Sequence, residues 1–440
     1  MIEQKTFGMI SLGCDKNRVD TEHMLALLEE RGAKRTNELS EAQILIINTC
    51  AFLNEARKES IETILDGATY KSGKLEKIVV TGCLPEKFVD ELFPELTEAD
   101  VFLGTKDTDK LIESIEESYR VGRVNAVHTG NEVREKRVVT TPLHFAYLKI
   151  ADGCYNHCTY CLIPKIRGKY KSYPMEELVA EAQSLGDVSE LILVAQDTTR
   201  YGEDLYGENK FVELIRRITS LDNIESVRLL YCYPDAIDDR LIYELKTNPK
   251  LIHYLDIPLQ HSENRVLKLM NRRGTREENL ALLEKIKAEI PDIAIRSTFI
   301  AGFPSETEEE VEGMISFLEE AKLTNCGFFA YSKEPDTAAF RMKGHLPQRE
   351  KDKRVRKLYR TQKEISKAFL LSKVGTEIDV LCDGIDYDRE CFVGRAYFQA
   401  PDIDGKVYFT SSEGVQGKHY AVKIQKTNGY DLFGTVTENV

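Results

Sequence analysis

Three cysteines lie in the run Gly153-Cys154-Tyr155-Asn156-His157-Cys158-Thr159-Tyr160-Cys161, spaced by three residues and then by two. A loop of that size brings three thiolates onto one inorganic centre, and soft sulfur donors select zinc, copper(I) or an iron–sulfur cluster. A structural zinc site closes its tetrahedron with a fourth protein ligand, and no fourth cysteine lies nearby. The zinc alternative therefore needs His157 or a distant residue. Three thiolates on a four-iron cluster leave one iron open to a substrate or cofactor, and an open coordination position implies chemistry.

A second set is scattered along the N-terminal segment. The strand-length apolar runs Phe7 to Leu12, Ile44 to Asn48 and Ile78 to Thr81 lead into Leu12-Gly13-Cys14, Asn48-Thr49-Cys50 and Thr81-Gly82-Cys83. Helical patterns at Val19 to Arg31, Asn54 to Asp66 and Lys110 to Tyr119 alternate with them, which predicts a parallel sheet with helices on its faces. Open parallel sheets bind ligands at the carboxyl ends of their strands, so Cys14, Cys50 and Cys83 are expected to converge on one edge. Taken singly, each is an ordinary buried cysteine. At three equivalent positions, two of them after a glycine that permits close backbone approach, they read as a second cluster with an open iron.

The elements that position the first loop follow a polar connection from about Val121 to Thr141. Strands are predicted at Phe145 to Ile150, Leu191 to Val194, Val227 to Leu230, Tyr254 to Asp256, Ile293 to Phe299 and Gly327 to Tyr331. Helices are predicted near Met175 to Leu185, Phe211 to Thr219, Asp238 to Asn248, Arg276 to Ile290 and Glu306 to Ala321. Six repeats make a partial barrel, whose chemistry sits at the carboxyl ends of the strands. The Cys154 loop follows the first strand, and the same face is expected to carry Gln196-Asp197, Tyr231, Gln260-His261 and Gly302-Phe303-Pro304. His261 reads as a hydrogen-bonding wall residue, with a proton-transfer role as its rival. The Gly302 turn reads as a close-approach loop for a cofactor, since no Gly-Lys-Ser/Thr follows to make a phosphate cradle. Cys232, Cys326, Cys382 and Cys391 have no partners at ligand spacing and read as packing.

Gln348 to Leu371 is a charged helical run, read as a solvated connector with RNA binding as its rival. Beyond Gly375, short strands such as Ile378 to Leu381, Cys391 to Val393 and Tyr420 to Ile424 predict a small antiparallel barrel. From Ser372 to Val440 there are seven Lys and Arg against eleven Asp and Glu, a net of −4. The whole chain of 440 residues carries −13. That sign opposes phosphate binding and suits a basic protein partner. Hydrophobic residues at 42% and charged residues at 30% are ordinary for a globular enzyme of two or three domains. With no signal-like start and no apolar run of membrane length, the expected location is the cytoplasm, with no membrane partner.

The cysteine run at Cys154, Cys158 and Cys161, with the aromatic Tyr160 before the third, resembles the cluster motif of the radical S-adenosylmethionine (SAM) enzymes. Gly13-Cys14-Asp15-Lys16-Asn17-Arg18-Val19-Asp20 resembles the N-terminal domain of the methylthiotransferases within that group, and the terminal barrel resembles their TRAM domain, an OB-like module that in other members grips tRNA. Ser11-Leu12-Gly13-Cys14 with Lys16-Asn17 and Val19-Asp20, Gln196-Asp197-Thr198-Thr199-Arg200-Tyr201-Gly202 and Tyr231-Cys232-Tyr233-Pro234 look like the RimO-type branch. Glu334-Pro335-Asp336-Thr337 departs from the Glu-Gly-Thr of many relatives, at a place that bears on substrate contact.

The resemblance implies an α/β protein in three parts: residues 1–122 with an auxiliary cluster, a radical SAM partial (β/α)6 barrel over 140–371, and a TRAM barrel over 372–440. It implies two 4Fe–4S clusters and SAM. Cys154, Cys158 and Cys161 would be the catalytic set, with Tyr160 at the cofactor, and Cys14, Cys50 and Cys83 would hold the auxiliary cluster. One SAM would serve as methyl donor and one as radical source, so that a methylthio group is added to the β-carbon of an aspartate in a small-subunit ribosomal protein. A reducing electron donor and a sulfur source are implied partners, and stable nucleic-acid binding is not. The alternatives are a tRNA adenosine methylthiotransferase, as in the MiaB-type branch, and a non-catalytic cluster carrier.

Overall fold

The apolar runs that precede the three N-terminal cysteines form the middle of a parallel sheet. The computed structural model describes residues 2–439, so Met1 and Val440, the outer ends of the first and third expected parts, lie outside the described residues. Strands β1 (Thr6–Ser11), β2 (Lys34–Arg35), β3 (Ile44–Thr49), β4 (Lys77–Gly82), β5 (Val101–Phe102) and β6 (Val124–Asn125) run parallel in the order β2-β1-β3-β4-β5-β6. Every residue of β3 and β4 is buried, as a strand covered on both faces requires. Alternate side chains divide between two cores. Leu45, Ile47, Ile78 and Val80 pack with Ile64, Leu84 and Val89 of the helices Asn54–Ala68 and Cys83–Glu95. Ile44, Ile46 and Val79 pack with Met24, Leu25 and Leu28 of the helix Asp15–Glu30 and with Ile115 of Leu111–Val121.

Two features of this sheet have no local signature. The strands β2, β5 and β6 have two residues each, too short for a period to show. The helix Cys83–Glu95 holds Pro85 in its first turn and Pro94 near its end, with a kink at Phe88 (φ −121°, ψ 20°). Proline is tolerated in a first turn, where the backbone N–H has no helical acceptor, yet it reads in sequence as a breaker.

Of the six expected barrel strands, the first precedes and the other five follow a segment made of the short strand β8 (Ala151–Asp152), the cysteine loop and β9 (Lys171–Ser172). They are β7 (Phe145–Lys149), β10 (Val188–Val194), β11 (Ile224–Leu229), β12 (Leu251–Asp256), β13 (Ala294–Ala301) and β14 (Asn325–Ala330), all parallel, in the order β14-β13-β12-β11-β10-β7. The helices between them include Arg276–Glu289 and Glu308–Ala321, each opened by a Thr-to-Glu capping box. The long helix Gln348–Lys373 is less solvated than its charge suggests. It buries Leu358, Gln362 and Leu370 together with Lys351 and Arg354, and Tyr359 accepts a hydrogen bond from the Phe328 N–H of β14 at 3.2 Å. It thereby shields an edge strand that would otherwise invite pairing.

The terminal segment closes as a five-stranded barrel of β15 (Glu377–Asp386), β16 (Cys391–Arg395), β17 (Val407–Thr410), β18 (His419–Thr427) and β19 (Leu432–Asn439). It is antiparallel except for β17 against β19, which pair in parallel and close the barrel. Packing divides the chain into two compact units, one of Met1–Thr140, Asp152–Tyr155 and Cys161–Tyr170, the other of Thr141–Ala151, Asn156–Tyr160 and Lys171–Val440.

Within the second unit a buried ion cluster joins the central sheet to the terminal barrel. Glu190 of β10 bridges Arg228 of β11 and Arg395 of β16, each at 2.5 Å. Arg395 also holds Asp383 at 2.9 Å, and Asp383 in turn meets His144 at 2.8 Å. Burial alone would raise the Glu190 carboxyl, but the two guanidinium groups hold it down to about 2 from an ordinary 4.5. A carboxylate depressed in the folded state contributes stability above its unfolded value and loses it as the pH falls toward the folded one. The contribution, about 3 kcal/mol, is present at neutral pH and disappears between roughly pH 4.5 and 2. Glu190→Gln is expected to cost about 3–5 kcal/mol in urea unfolding at pH 7, because buried Arg228 loses its paired carboxylate and Arg395 keeps only Asp383. Near pH 2 the variant and the parent should converge, and an equal gap at both pH values would refute this account.

Candidate active site

In-register parallel pairing sets the N-terminal cysteines. Ser11 lies opposite Asn48, Asn48 opposite Thr81, and Thr49 opposite Gly82. The carboxyl ends of β1, β3 and β4 therefore stand level on adjacent strands, and Cys14, Cys50 and Cys83 follow those ends within three residues. Gly13 (φ +89°) and Gly82 (φ +95°) make the turns, and a Cβ on Gly13 would lie 2.8 Å from the Cys50 Cβ. Only glycine adopts that backbone cheaply and leaves that space. The sulfurs differ in access: Cys14 is exposed, Cys50 intermediate and Cys83 buried.

Charge at this edge is arranged for anions. Cys14 is the N-cap of the helix Asp15–Glu30, and Cys83 is the first residue of Cys83–Glu95, so two helix N-termini bring partial positive charge to the sulfurs. Asn17 Nδ2 donates to the Leu12 and Thr49 carbonyls, both at 3.0 Å, and its Oδ1 is 3.7 Å from the Cys83 sulfur. Arg167, buried to 2% exposure, donates to that same Oδ1, to Asp20 at 2.6 Å and to Asp152 at 3.0 Å. Burial pushes the Cys83 thiol up to about 12, with Arg167 opposing and the neighbouring thiols reinforcing the shift. Burial likewise raises Cys50.

The loop holding Cys154, Cys158 and Cys161 leaves β8 through Gly153 (φ +76°), where a Cβ would meet the Lys169 carbonyl at 2.2 Å. The Cys154 N–H donates to the Gly168 carbonyl at 3.2 Å, and the Cys161 sulfur accepts from the Ile163 N–H at 3.4 Å. Arg272 approaches the Cys158 sulfur at 3.9 Å, over the Tyr233 ring at 4.3 Å. Tyr160 packs against an apolar cluster that includes Val266, Met270 and Phe303. Asn156 donates to Asp197 at 2.9 Å, and Thr199 donates to the same carboxylate at 2.7 Å while accepting the Tyr233 N–H at 3.0 Å. The Gln196 to Tyr201 motif thus anchors the loop from the end of β10. Of the left-handed residues, His157 (φ 48°) lies in the loop itself and Tyr231 (φ 58°), Gln260 (φ 71°) and Ser305 (φ 65°) follow barrel strands.

Two residues of the chemical face are placed here. Gly302 (φ +78°) lies against the long helix, where a Cβ would meet Lys351 Cγ at 2.3 Å. His261 is fully buried, accepts the Glu263 N–H at Nδ1 (3.0 Å) and faces Glu306 at 3.2 Å through Nε2. With both nitrogens engaged inside the protein it is the wall residue. Cys232 and Cys382 are buried, as packing requires. Arg167, Asp152 and Arg272 were not singled out, Asn17 only as part of the motif after Cys14, and for Arg167 only its place six residues after Cys161 hinted at a role.

Both cysteine sets fit an iron–sulfur cluster by their all-sulfur donors. Among the described residues no group of three or more His, Cys, Asp or Glu is placed to hold a single metal ion.

The sequence matches the families described as Uncharacterized protein family UPF0004 over residues 6–104, Radical SAM superfamily over 148–318 and TRAM domain over 374–437. Proteins named ribosomal protein uS12 methylthiotransferase RimO are similar along nearly their whole length. That of Lachnoclostridium phytofermentans is 45% identical, covering 97% of this chain and 98% of its own. That of Clostridium botulinum is 43% identical, with 98% of each chain covered. The chain belongs to the uS12 methylthiotransferase RimO family. A solved radical SAM methyltransferase, TsrM from Kitasatospora setae with cobalamin and a [4Fe–4S] cluster bound, shares the fold at a TM-score of 0.57 and 14% identity over 77% of each chain.

For this RimO family member the turn at Gly13 gives a direct check on the site. Gly13→Ala places a Cβ against Cys50 in a left-handed backbone, at about 1–2 kcal/mol of backbone strain before any clash. The variant is expected to lose about half of the iron bound after anaerobic reconstitution, measured by iron analysis, as expected if each three-thiolate set holds one cluster. Retention of the full iron load would sink this view of the edge.

Proposed function

We propose that this chain is a radical SAM methylthiotransferase that adds a methylthio group to the β-carbon of an aspartate in ribosomal protein uS12. The observation that carries the reading is the presence of two separate all-thiol sets, one at the carboxyl ends of the parallel strands β1, β3 and β4 and the other in the loop that leaves β8 just after the first barrel strand. Cys154, Cys158 and Cys161 would hold a SAM-cleaving 4Fe–4S cluster with Tyr160 beside it. Cys14, Cys50 and Cys83 would hold the second, auxiliary cluster. When bound, these groups supply reductive cleavage of SAM to a carbon-centred radical at one centre and delivery of sulfur at the other.

The chain's own part is to place and insulate these centres. Gly153 and the Asn156 to Asp197 bond fix the loop. Asn17 ties the strand ends below the second set. A radical is needed because the β-carbon of an aspartate is not acidic enough for any side-chain base to deprotonate. Residues 1–122 would thus deliver sulfur, 140–371 generate the radical and 372–440 engage the protein substrate, in the cytoplasm, with a reductant and a sulfur source as further partners. No helix among the described residues is long and apolar enough to cross a membrane.

The terminal barrel's acidity supports a basic protein over tRNA, though not at every acidic position. Asp383 is committed to Arg395 and His144, whereas Asp386 pairs with Arg389 at the surface.

Mass spectrometry of uS12 and of tRNA from cells with and without the gene tests the substrate: a gain of one methylthio group on a uS12 aspartate is expected, and modification of tRNA alone would transfer the assignment to the rival reading. The triple variant of Cys154, Cys158 and Cys161 to Ala should produce no 5′-deoxyadenosine. Its counterpart at Cys14, Cys50 and Cys83 should still cleave SAM but leave uS12 unmodified, and loss of SAM cleavage in both would mean that the sets act as one centre.

A further inference from the structure

We infer that Arg167 is a positioning residue of the N-terminal three-thiol centre, supplying the buried positive charge that the centre needs. The inference rests on the reading that Cys14, Cys50 and Cys83 hold an iron–sulfur cluster.

Three observations converge. First, Arg167 reaches the centre from outside the N-terminal sheet's own sequence, six residues beyond Cys161, through the short helix Ile163–Ile166, whose Ile166 packs into the same core as Cys83 and Leu84. A guanidinium is costly to bury, so its place beside these sulfurs needs a reason. Second, Arg167 acts on all three cysteine loops through one side chain. By donating to Asn17 Oδ1, it fixes the amide so that Nδ2 faces the carbonyls of Leu12 and Thr49, the residues just before Gly13-Cys14 and Cys50. An amide turned over would present an oxygen to two carbonyls, which cannot bond it. The same Oδ1 accepts from the Cys83 thiol at 3.7 Å. Third, Arg167 is held by two carboxylates, Asp20 on the helix that Cys14 caps and Asp152 two residues before Cys154. Removing it would leave those two anions beside three sulfurs with no guanidinium to offset them.

A cationic group beside a cluster stabilises its reduced, more negative form and so raises its reduction potential, and hydrogen bonding and charge near the sulfurs are established means of tuning such centres. A purely structural arginine would change unfolding but not potential.

The experiment uses the full-length chain carrying Cys154→Ala, Cys158→Ala and Cys161→Ala, which leaves only the N-terminal set. Arg167→Gln and Arg167→Lys are made in that background, and iron content and the midpoint potential of the cluster, followed by electron paramagnetic resonance, are measured after anaerobic reconstitution. The Gln variant is expected either to lose most of its iron or to keep it with a lower potential. The Lys variant should restore both toward the parent, since it keeps the charge. A Gln variant equal to the parent in iron and potential overturns the inference, as does a Lys variant as impaired as Gln. If the background with Arg167 intact binds no iron at all, the fault lies with the cluster reading itself.

Discussion

Gathering three sulfurs that must become anionic at one edge of a sheet is the constraint on which the N-terminal half depends. Like charges a few ångströms apart repel strongly where water is excluded, and the repulsion must be offset from within the protein. The sheet cannot do this, since strand dipoles largely cancel. Two helices that begin at Cys14 and Cys83 oppose the repulsion, and so does the buried charge of Arg167. The helix Cys83–Glu95 begins on the cysteine itself, with Gly82 as N-cap and no side-chain cap, and its Leu84 N–H donates to Thr49 Oγ1 at 3.3 Å, which ties the helix start to the end of β3.

The loop of Cys154 to Cys161 meets the constraint differently. Arg272 lies beside Cys158 and is held by the Tyr233 face and the Pro258 carbonyl, whereas Arg167 is matched by two carboxylates. A cation stacked on an aromatic ring keeps more of its field than one paired with anions. The surroundings therefore present the two sets with different net charge, which suits centres with different tasks.

The cysteines, the six barrel strands and the alternation of strand and helix were readable because each is local: a spacing, a period or a composition. What escaped reading depends on partners far along the chain. Arg167 is an arginine in a short basic stretch until Asn17, some 150 positions away, comes within reach. The parallel closure of β17 on β19 is a matter of register across a loop, and a turn-rich run of short strands reads as antiparallel by default. That Gly302 also leaves room for Lys351 of the long helix could not be read from its turn, because that contact spans some 50 positions. His261 shows the converse, as a histidine at a barrel mouth whose two nitrogens are both engaged by the wall.

Charge counting in the terminal barrel meets the same limit. The excess of acid counts Asp383 and Asp404, yet Asp383 holds Arg395 and Asp404 accepts from Tyr254 at 2.7 Å and faces Arg296 at 3.6 Å. These acids bind the barrel to the central sheet and offer little to a partner. Setting aside those two acids and Arg395 still leaves more acid than base, but several of the remainder are engaged too. Asp386 has Arg389, and Asp379 accepts from His419, whose imidazole is raised in turn by that bond. A basic protein approaching this face competes with partners already in place, and each surface pair it displaces returns about 0–1 kcal/mol. Attraction of that size steers an encounter more than it holds a complex. Shape and backbone recognition must then supply the affinity, and the acidic sign of the barrel sets chiefly which partners arrive.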